Sequence, residues 1–149
     1  MELISERTGA TVYNCAFGGT KWSGHPSAEY DAFSMYRLAD AIASQDFSLQ
    51  DTYASTFSTD HLNVLKSLDF NEIDIVIIDH GTNDMGKTIG EDSDGYLDFI
   101  SVLEGDMPDI SAIGATIKGS INYTIHRLMK SYPHLRILLV TPIWRARQS

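Results

Sequence analysis

Residues 73–78 read Ile-Asp-Ile-Val-Ile-Ile, a run dominated by β-branched apolar side chains on successive positions rather than alternating ones. Such continuous apolarity is the pattern of a strand covered on both faces, as in a parallel sheet between helical layers. The run then breaks into His80-Gly81-Thr82-Asn83-Asp84, five residues that bury poorly and hydrogen-bond well. Open α/β sheets place their ligands where a buried strand empties into small and polar residues at its C-terminal end. The stretch therefore predicts both a fold class and the floor of a site.

The remaining chain supplies the partners such a strand needs. Residues 10–16 (Ala-Thr-Val-Tyr-Asn-Cys-Ala) predict a short strand running into the glycine turn Phe17-Gly18-Gly19-Thr20. Ahead of it, residues 2–7 read as a helical tail that Gly9 ends by taking positive φ. Pro26 opens a predicted helix to about Ser44, with Met35, Leu38, Ala39 and Ile42 on one stripe and Arg37, Asp40 and Ser44 turned away. A weakly patterned Ser/Thr-rich segment follows over 47–58. A second helix runs over 60–68 with Leu62, Leu65 and Leu68 facing a core. Past the organising strand, residues 85–109 hold seven carboxylates and a short predicted helix at 96–104. Ile117, Ile121, Ile125 and Leu128 mark a third helix, stopped by Pro133, and residues 135–140 form a last buried strand before Thr141-Pro142. Alternating strands and helices imply βαβ units, right-handed crossovers and a three-layer α/β/α sandwich with a mainly parallel sheet, in one domain over 1–149.

Composition narrows the function classes. A formal charge of −9 and a pI near 4.8 argue against nucleic acid or an anionic membrane as the main partner. No apolar run approaches the ~18 residues of a membrane span, and the first residues carry no signal-peptide core, which leaves the compartment open. The single cysteine, Cys15, lies in a predicted strand and reads as a packed thiol; it offers neither a disulfide framework nor a metal cluster. The acidic run Glu91, Asp92, Asp94, Asp98, Glu104, Asp106, Asp109 lacks the ligand spacing of a calcium loop and reads as a solvated rim. No cofactor or metal is implied.

Two strand ends would share one edge of the sheet, one carrying Gly18-Gly19 and the other Gly81-Thr82-Asn83-Asp84. Glycines after a strand leave backbone N–H groups open to an anion or a developing oxyanion. An Asn side chain adds a neutral NH₂ donor for the same oxygen. Gly19 and Asn83 are thus the candidate donors of a two-point oxyanion hole. Each also has an ordinary reading, since Gly-Gly often makes only a tight turn and Asn-Asp often caps a helix.

Residues 12–20 (Val-Tyr-Asn-Cys-Ala-Phe-Gly-Gly-Thr) resemble the second sequence block of the SGNH hydrolases, the GDSL esterase and lipase family. Gly81-Thr82-Asn83-Asp84 resembles that family's third block, and the Tyr132-Pro133 to Thr141-Pro142 segment is similar to the helix end and fourth strand of its bacterial members. The resemblance implies a flavodoxin-like sandwich and serine ester hydrolysis of a small-molecule acyl or carbohydrate ester. It places the oxyanion donors on the Gly19 backbone and the Asn83 side chain. The family's Gly-Asp-Ser and Asp-x-x-His blocks, which carry nucleophile and base, have no counterpart here. The expectation is therefore an incomplete, internal portion of the domain, nearly inactive alone. It would be prone to self-association, or to completion by a partner chain, because the serine-bearing strand belongs between the strand at residue 12 and the one at residue 75.

Local substitutes are weak. Ser23 and His25 read as loop and helix entry rather than nucleophile and base, and His80 as an exposed rim histidine. Trp144 and Arg145 fit a substrate mouth and ordinary packing equally. The alternative is a non-catalytic flavodoxin-like module that binds an anionic small ligand at the Gly-Gly turn.

Overall fold

The computed structural model describes residues 2–91 and 110–140. Its elements in chain order are helices α1 (Glu2–Thr8), α2 (Ala28–Asp31), α3 (Met35–Ser44), α4 (Ser48–Thr52) and α5 (Thr59–Ser67), strand β1 (Ile75–Asp79), helices α6 (Ile110–Ile113) and α7 (Ile117–Ser131), and strand β2 (Arg136–Val140). Short 3-10 turns cover Ala54–Thr56 and Phe70–Glu72. The fold is mixed α/β.

Helix ends follow local chemistry. Gly9 closes α1 at φ 72°, its N–H reaching the Ser5 carbonyl at 2.8 Å. The Ser58 hydroxyl accepts from the His61 N–H to start α5, and Thr116 accepts from the Gly119 N–H to start α7. Gln45 ends α3 in the left-handed region at φ 57° and offsets that strain with its own amide, which donates to the Ile42 carbonyl at 2.7 Å and the Tyr132 hydroxyl at 3.0 Å.

The helix expected over 26–44 is two helices. Ser34 is extended, its hydroxyl donates to the Asp31 carbonyl, and the Met35 N–H turns to the Lys21 carbonyl instead of a helical partner. The stripe assigned to it holds all the same: Met35, Leu38, Ala39 and Ile42 are buried. Residues 47–58, unpatterned in sequence, form α4 and a 3-10 turn around the buried Phe47 and Gln50.

β1 and β2 pair in parallel, with Ile75 opposite Arg136, Ile77 opposite Leu138 and Asp79 opposite Val140. Among the described residues this two-stranded ladder is the whole sheet. One face is covered, with Ile78 3% exposed and Val76 and Ile137 against the core. The opposite face is not: Ile75, Ile77 and Leu138 are each at least half exposed. This corrects the expectation of a strand covered on both sides. An apolar side chain on every position allows two covers without requiring them; among the described residues one cover is built, its cluster drawing on α3, α5 and α7.

The strand expected over residues 10–16 is also corrected. Among the described residues the segment belongs to no ladder, and its positions are exposed apart from half-buried Val12 and Cys15. A strand needs a neighbour to pair its N–H and C=O groups, and none of the described strands lies beside it. The segment is held from its ends: the Ala16 carbonyl meets His61 Nδ1 at 2.7 Å, and Phe17 enters the core beside Phe33 with ring centroids 4.7 Å apart. Cys15 packs on that core, and burial pushes its thiol pKa up, which suits a packed thiol and not a nucleophile.

α3 and α7 pack directly on one another. Asp40 on α3 accepts from Tyr123 at 3.0 Å and from Arg127 at 2.9 Å, both on α7, and Tyr132 donates to the Ile42 carbonyl at 2.9 Å. No described helix is long and apolar enough to cross a membrane. The acidic run beyond Glu91, the helix expected at 96–104, Thr141-Pro142, Trp144 and Arg145 lie outside the described residues.

Candidate functional site

The glycine turn is suspended between two aromatic anchors. Phe17 before it and Trp22 after it are both buried, so Gly18 and Gly19 are pushed to the surface between fixed points. Gly19 adopts φ 80°, which the absent Cβ permits, and no described residue accepts a hydrogen bond from its N–H. A Cβ there would stand 3.0 Å from the Tyr30 ring, whereas one on Gly18 would meet nothing.

The second loop leaves β1 at His80 and turns at Gly81, φ 116°. It is clasped to the first loop at three points. Asn83 Nδ2 donates to the Thr20 carbonyl at 3.0 Å, one residue from Gly19. Asp84 accepts from the Trp22 N–H at 2.9 Å, the Ser23 N–H at 3.0 Å and the Ser23 hydroxyl at 2.6 Å. His80 lies on the Trp22 ring with centroids 5.6 Å apart. The two sequence-predicted donors therefore sit on loops locked together over a gap of more than sixty residues. One N–H of the Asn83 amide is committed to Thr20; the group has a second.

No family model, curated protein or solved structure matches this chain.

Three sequence readings change. The loop over 80–84 does not bury poorly throughout, because Asp84 is 2% exposed. His80 is not an exposed rim group but half-buried. Burial lowers its pKa, against the opposing pull of the Asp84 and Asp79 carboxylates and of the Lys21 backbone. Ser23 is not loop decoration, since it is fully buried with its hydroxyl on Asp84. That burial removes it as a nucleophile. His25 is turned elsewhere, its Nδ1 accepting from the Ser27 N–H at 3.0 Å, so the Ser-x-His pair is not a catalytic couple.

Asp84 is the residue that sequence reasoning undervalued. A buried carboxylate taking three donors from another loop orders both, because each oxygen accepts along fixed directions. The only signal was its place directly after Asn83, at the end of a buried strand. Among the described residues no three His, Cys, Asp or Glu side chains converge as metal ligands.

Proposed function

We propose that the chain carries the oxyanion-stabilising part of an SGNH-type ester hydrolase. The Gly19 N–H and the Asn83 amide would receive the oxygen of the tetrahedral intermediate. The observation that supports this is the Asn83–Thr20 hydrogen bond, which brings the two donor-bearing loops to one rim. Preorganised neutral donors of this kind act because they need no reorientation when charge develops.

Hydrolysis also needs a nucleophile and a base. Ser23 and His25 do not serve, and the sequence holds neither Gly-Asp-Ser nor Asp-x-x-His. On this reading these groups are supplied from outside residues 1–149 or by a partner chain. Their strand would fill the slot between residues 10–16 and β1, giving the three-layer, flavodoxin-like sandwich that the family resemblance implies. Among the described residues, 10–16 pair with no strand, which leaves that slot open, and the uncovered face of β1 and β2 leaves room for the second helical layer.

The test is complementation. The chain is mixed with a fragment bearing the missing blocks and assayed on a short acyl ester. Alone it should be indistinguishable from spontaneous hydrolysis. In the complex, Asn83→Ala should lower kcat by ~10²–10³, the effect of losing one oxyanion donor. A complex that hydrolyses the ester equally well with Asn83→Ala refutes the assignment. Stabilisation by phosphate-bearing ligands but not by ester-mimicking phosphonates would instead support a non-catalytic anion-binding module.

A further inference from the structure

The glycine-turn loop has a second side. Beyond Trp22 and Ser23 it borders an open cleft of about 490 Å³, lined by Lys21, Gly24 and His25, by Asp31 of α2, by Tyr36 and Arg37 of α3, and by Lys87 and Gly114. The Gly19–Asn83 rim is not part of it.

The charge of this cleft runs against that of the chain. The sequence carries −9 overall, yet among the described residues the lining holds three cations and one carboxylate. That carboxylate is occupied: Asp31 accepts from the Tyr36 hydroxyl at 3.0 Å, the His25 N–H at 2.9 Å and Arg37 Nε at 3.3 Å. Lys21 and Lys87, half-buried on two different loops, have no acidic partner among the described residues. Two helix-borne cations contrast with them, Lys66 of α5 being held by Asp51 of α4 at 2.8 Å and Arg127 of α7 by Asp40 of α3 at 2.9 Å. Bringing two ammonium groups into one concavity costs Coulomb energy that an anion between them would reverse.

The floor is shaped by backbone alone. The Gly24 N–H donates to the Gly114 carbonyl at 2.8 Å. A Cβ on Gly24 would stand 3.2 Å from both Asp31 Oδ1 and the Gly114 carbonyl, and one on Gly114 would stand 2.7 Å from the Tyr36 ring and hydroxyl. A side chain at either position would press on Asp31 or Tyr36, two walls of the cleft.

We infer that this cleft binds a phosphate monoester group between Lys21 and Lys87. The donor set selects the class. A planar carboxylate is best matched by the two-pronged guanidinium fork, but the Nε edge of Arg37 is turned to Asp31. The Tyr36 hydroxyl donates to the same carboxylate. What remains is a pair of point charges with rotatable N–H groups, which suits a compact dianion with several equivalent oxygens. The inference does not depend on the hydrolase reading, since it uses neither Gly19 nor Asn83.

The test titrates the full chain with inorganic phosphate at low, constant ionic strength, following backbone amide resonances. The expected result is saturable binding with a Kd on the order of 1 mM, shifting the amides of Lys21, Gly24 and Lys87. Lys21→Gln/Lys87→Gln should weaken it about tenfold or more, Lys21→Arg/Lys87→Arg should retain it, and Lys66→Gln should leave it unchanged. Acetate should bind at least about tenfold more weakly than phosphate. Non-saturating shifts, equal loss in Lys66→Gln, or acetate as tight as phosphate each overturn the inference. Far-UV circular dichroism of the double Gln variant separates lost binding from lost fold.

Discussion

Removing the Asp84 carboxylate should disconnect the two candidate-site loops. In Asp84→Ala, the Trp22 N–H, the Ser23 N–H and the Ser23 hydroxyl lose their acceptor at once, at a site only 2% exposed. Each orphaned buried donor costs about 1–3 kcal/mol. Water entering the vacated space recovers part of that, so ~3 kcal/mol is the expected local loss. At 1.36 kcal/mol per decade this is about a hundredfold in an opening equilibrium. Amide hydrogen exchange reads it directly, because the Trp22 and Ser23 N–H groups are themselves the donors. Their protection should fall about a hundredfold in Asp84→Ala, while Thr124 in the middle of α7 should change little. Ser23→Ala, which removes one donor and leaves the carboxylate its two backbone partners, should cost only about 1 kcal/mol, or roughly fivefold. If Trp22 and Ser23 in Asp84→Ala exchange within threefold of the parent, Asp84 does not hold the loops together, and the Asn83–Thr20 bond is left as the hydrogen bond that joins them.

Further predictions concern the same region and the open sheet. Gly19→Ala forces a Cβ into φ 80° and to 3.0 Å from Tyr30, so urea unfolding should show a loss of about 1–2 kcal/mol; Gly18→Ala should be close to neutral by the same assay. Gly114→Ala presses on the buried Tyr36 ring at 2.7 Å and should destabilise by about 1–3 kcal/mol. Burial first, then the Asp31 charge, raises the Tyr36 phenol from 10.0 to about 12. The folded state therefore favours the neutral phenol by ~3 kcal/mol, a contribution complete below pH 10 and lost as pH rises from 10 to about 12. Tyr36→Phe should flatten that alkaline loss, measured as unfolding free energy against pH. Ile77→Lys/Leu138→Lys, on the uncovered sheet face, should shift the sedimentation profile toward monomer if that face drives self-association.

The sequence made some elements legible because their signals are local. Helices α3, α5 and α7 announce themselves by apolar spacing, and Gly9 marks the end of α1 because positive φ is a property of a single residue. β1 and β2 were equally visible as apolar runs. What no run discloses is whether a second cover or a neighbouring strand exists. Ile75 and Ile77 look buried in sequence and are half exposed, and residues 10–16 look like a strand but lack a ladder. The candidate site divides the same way. Gly19 and Asn83 stood out by residue type at predicted strand ends, of which only that of β1 is a strand end, and the Thr20 carbonyl links their loops. The role of Asp84 was not identifiable, because it resides in contacts with Trp22 and Ser23, far away along the chain. The cleft beside Lys21 and Lys87 escaped for the same reason, since the two lysines are unremarkable until the loops meet.

The parallel register between β1 and β2 also bears on how fast the molecule assembles. Ile75 and Arg136 are about 60 residues apart, and no tight hairpin shortens the search. The α3–α7 contact spans a longer stretch still, Asp40 meeting Tyr123. Pairings this distant form slowly, since loop closure must be met before the contact rewards it. Until that happens, two β-branched segments remain available to other molecules. Yield on synthesis should therefore depend on temperature and chain concentration more steeply than the equilibrium strength of the fold would suggest.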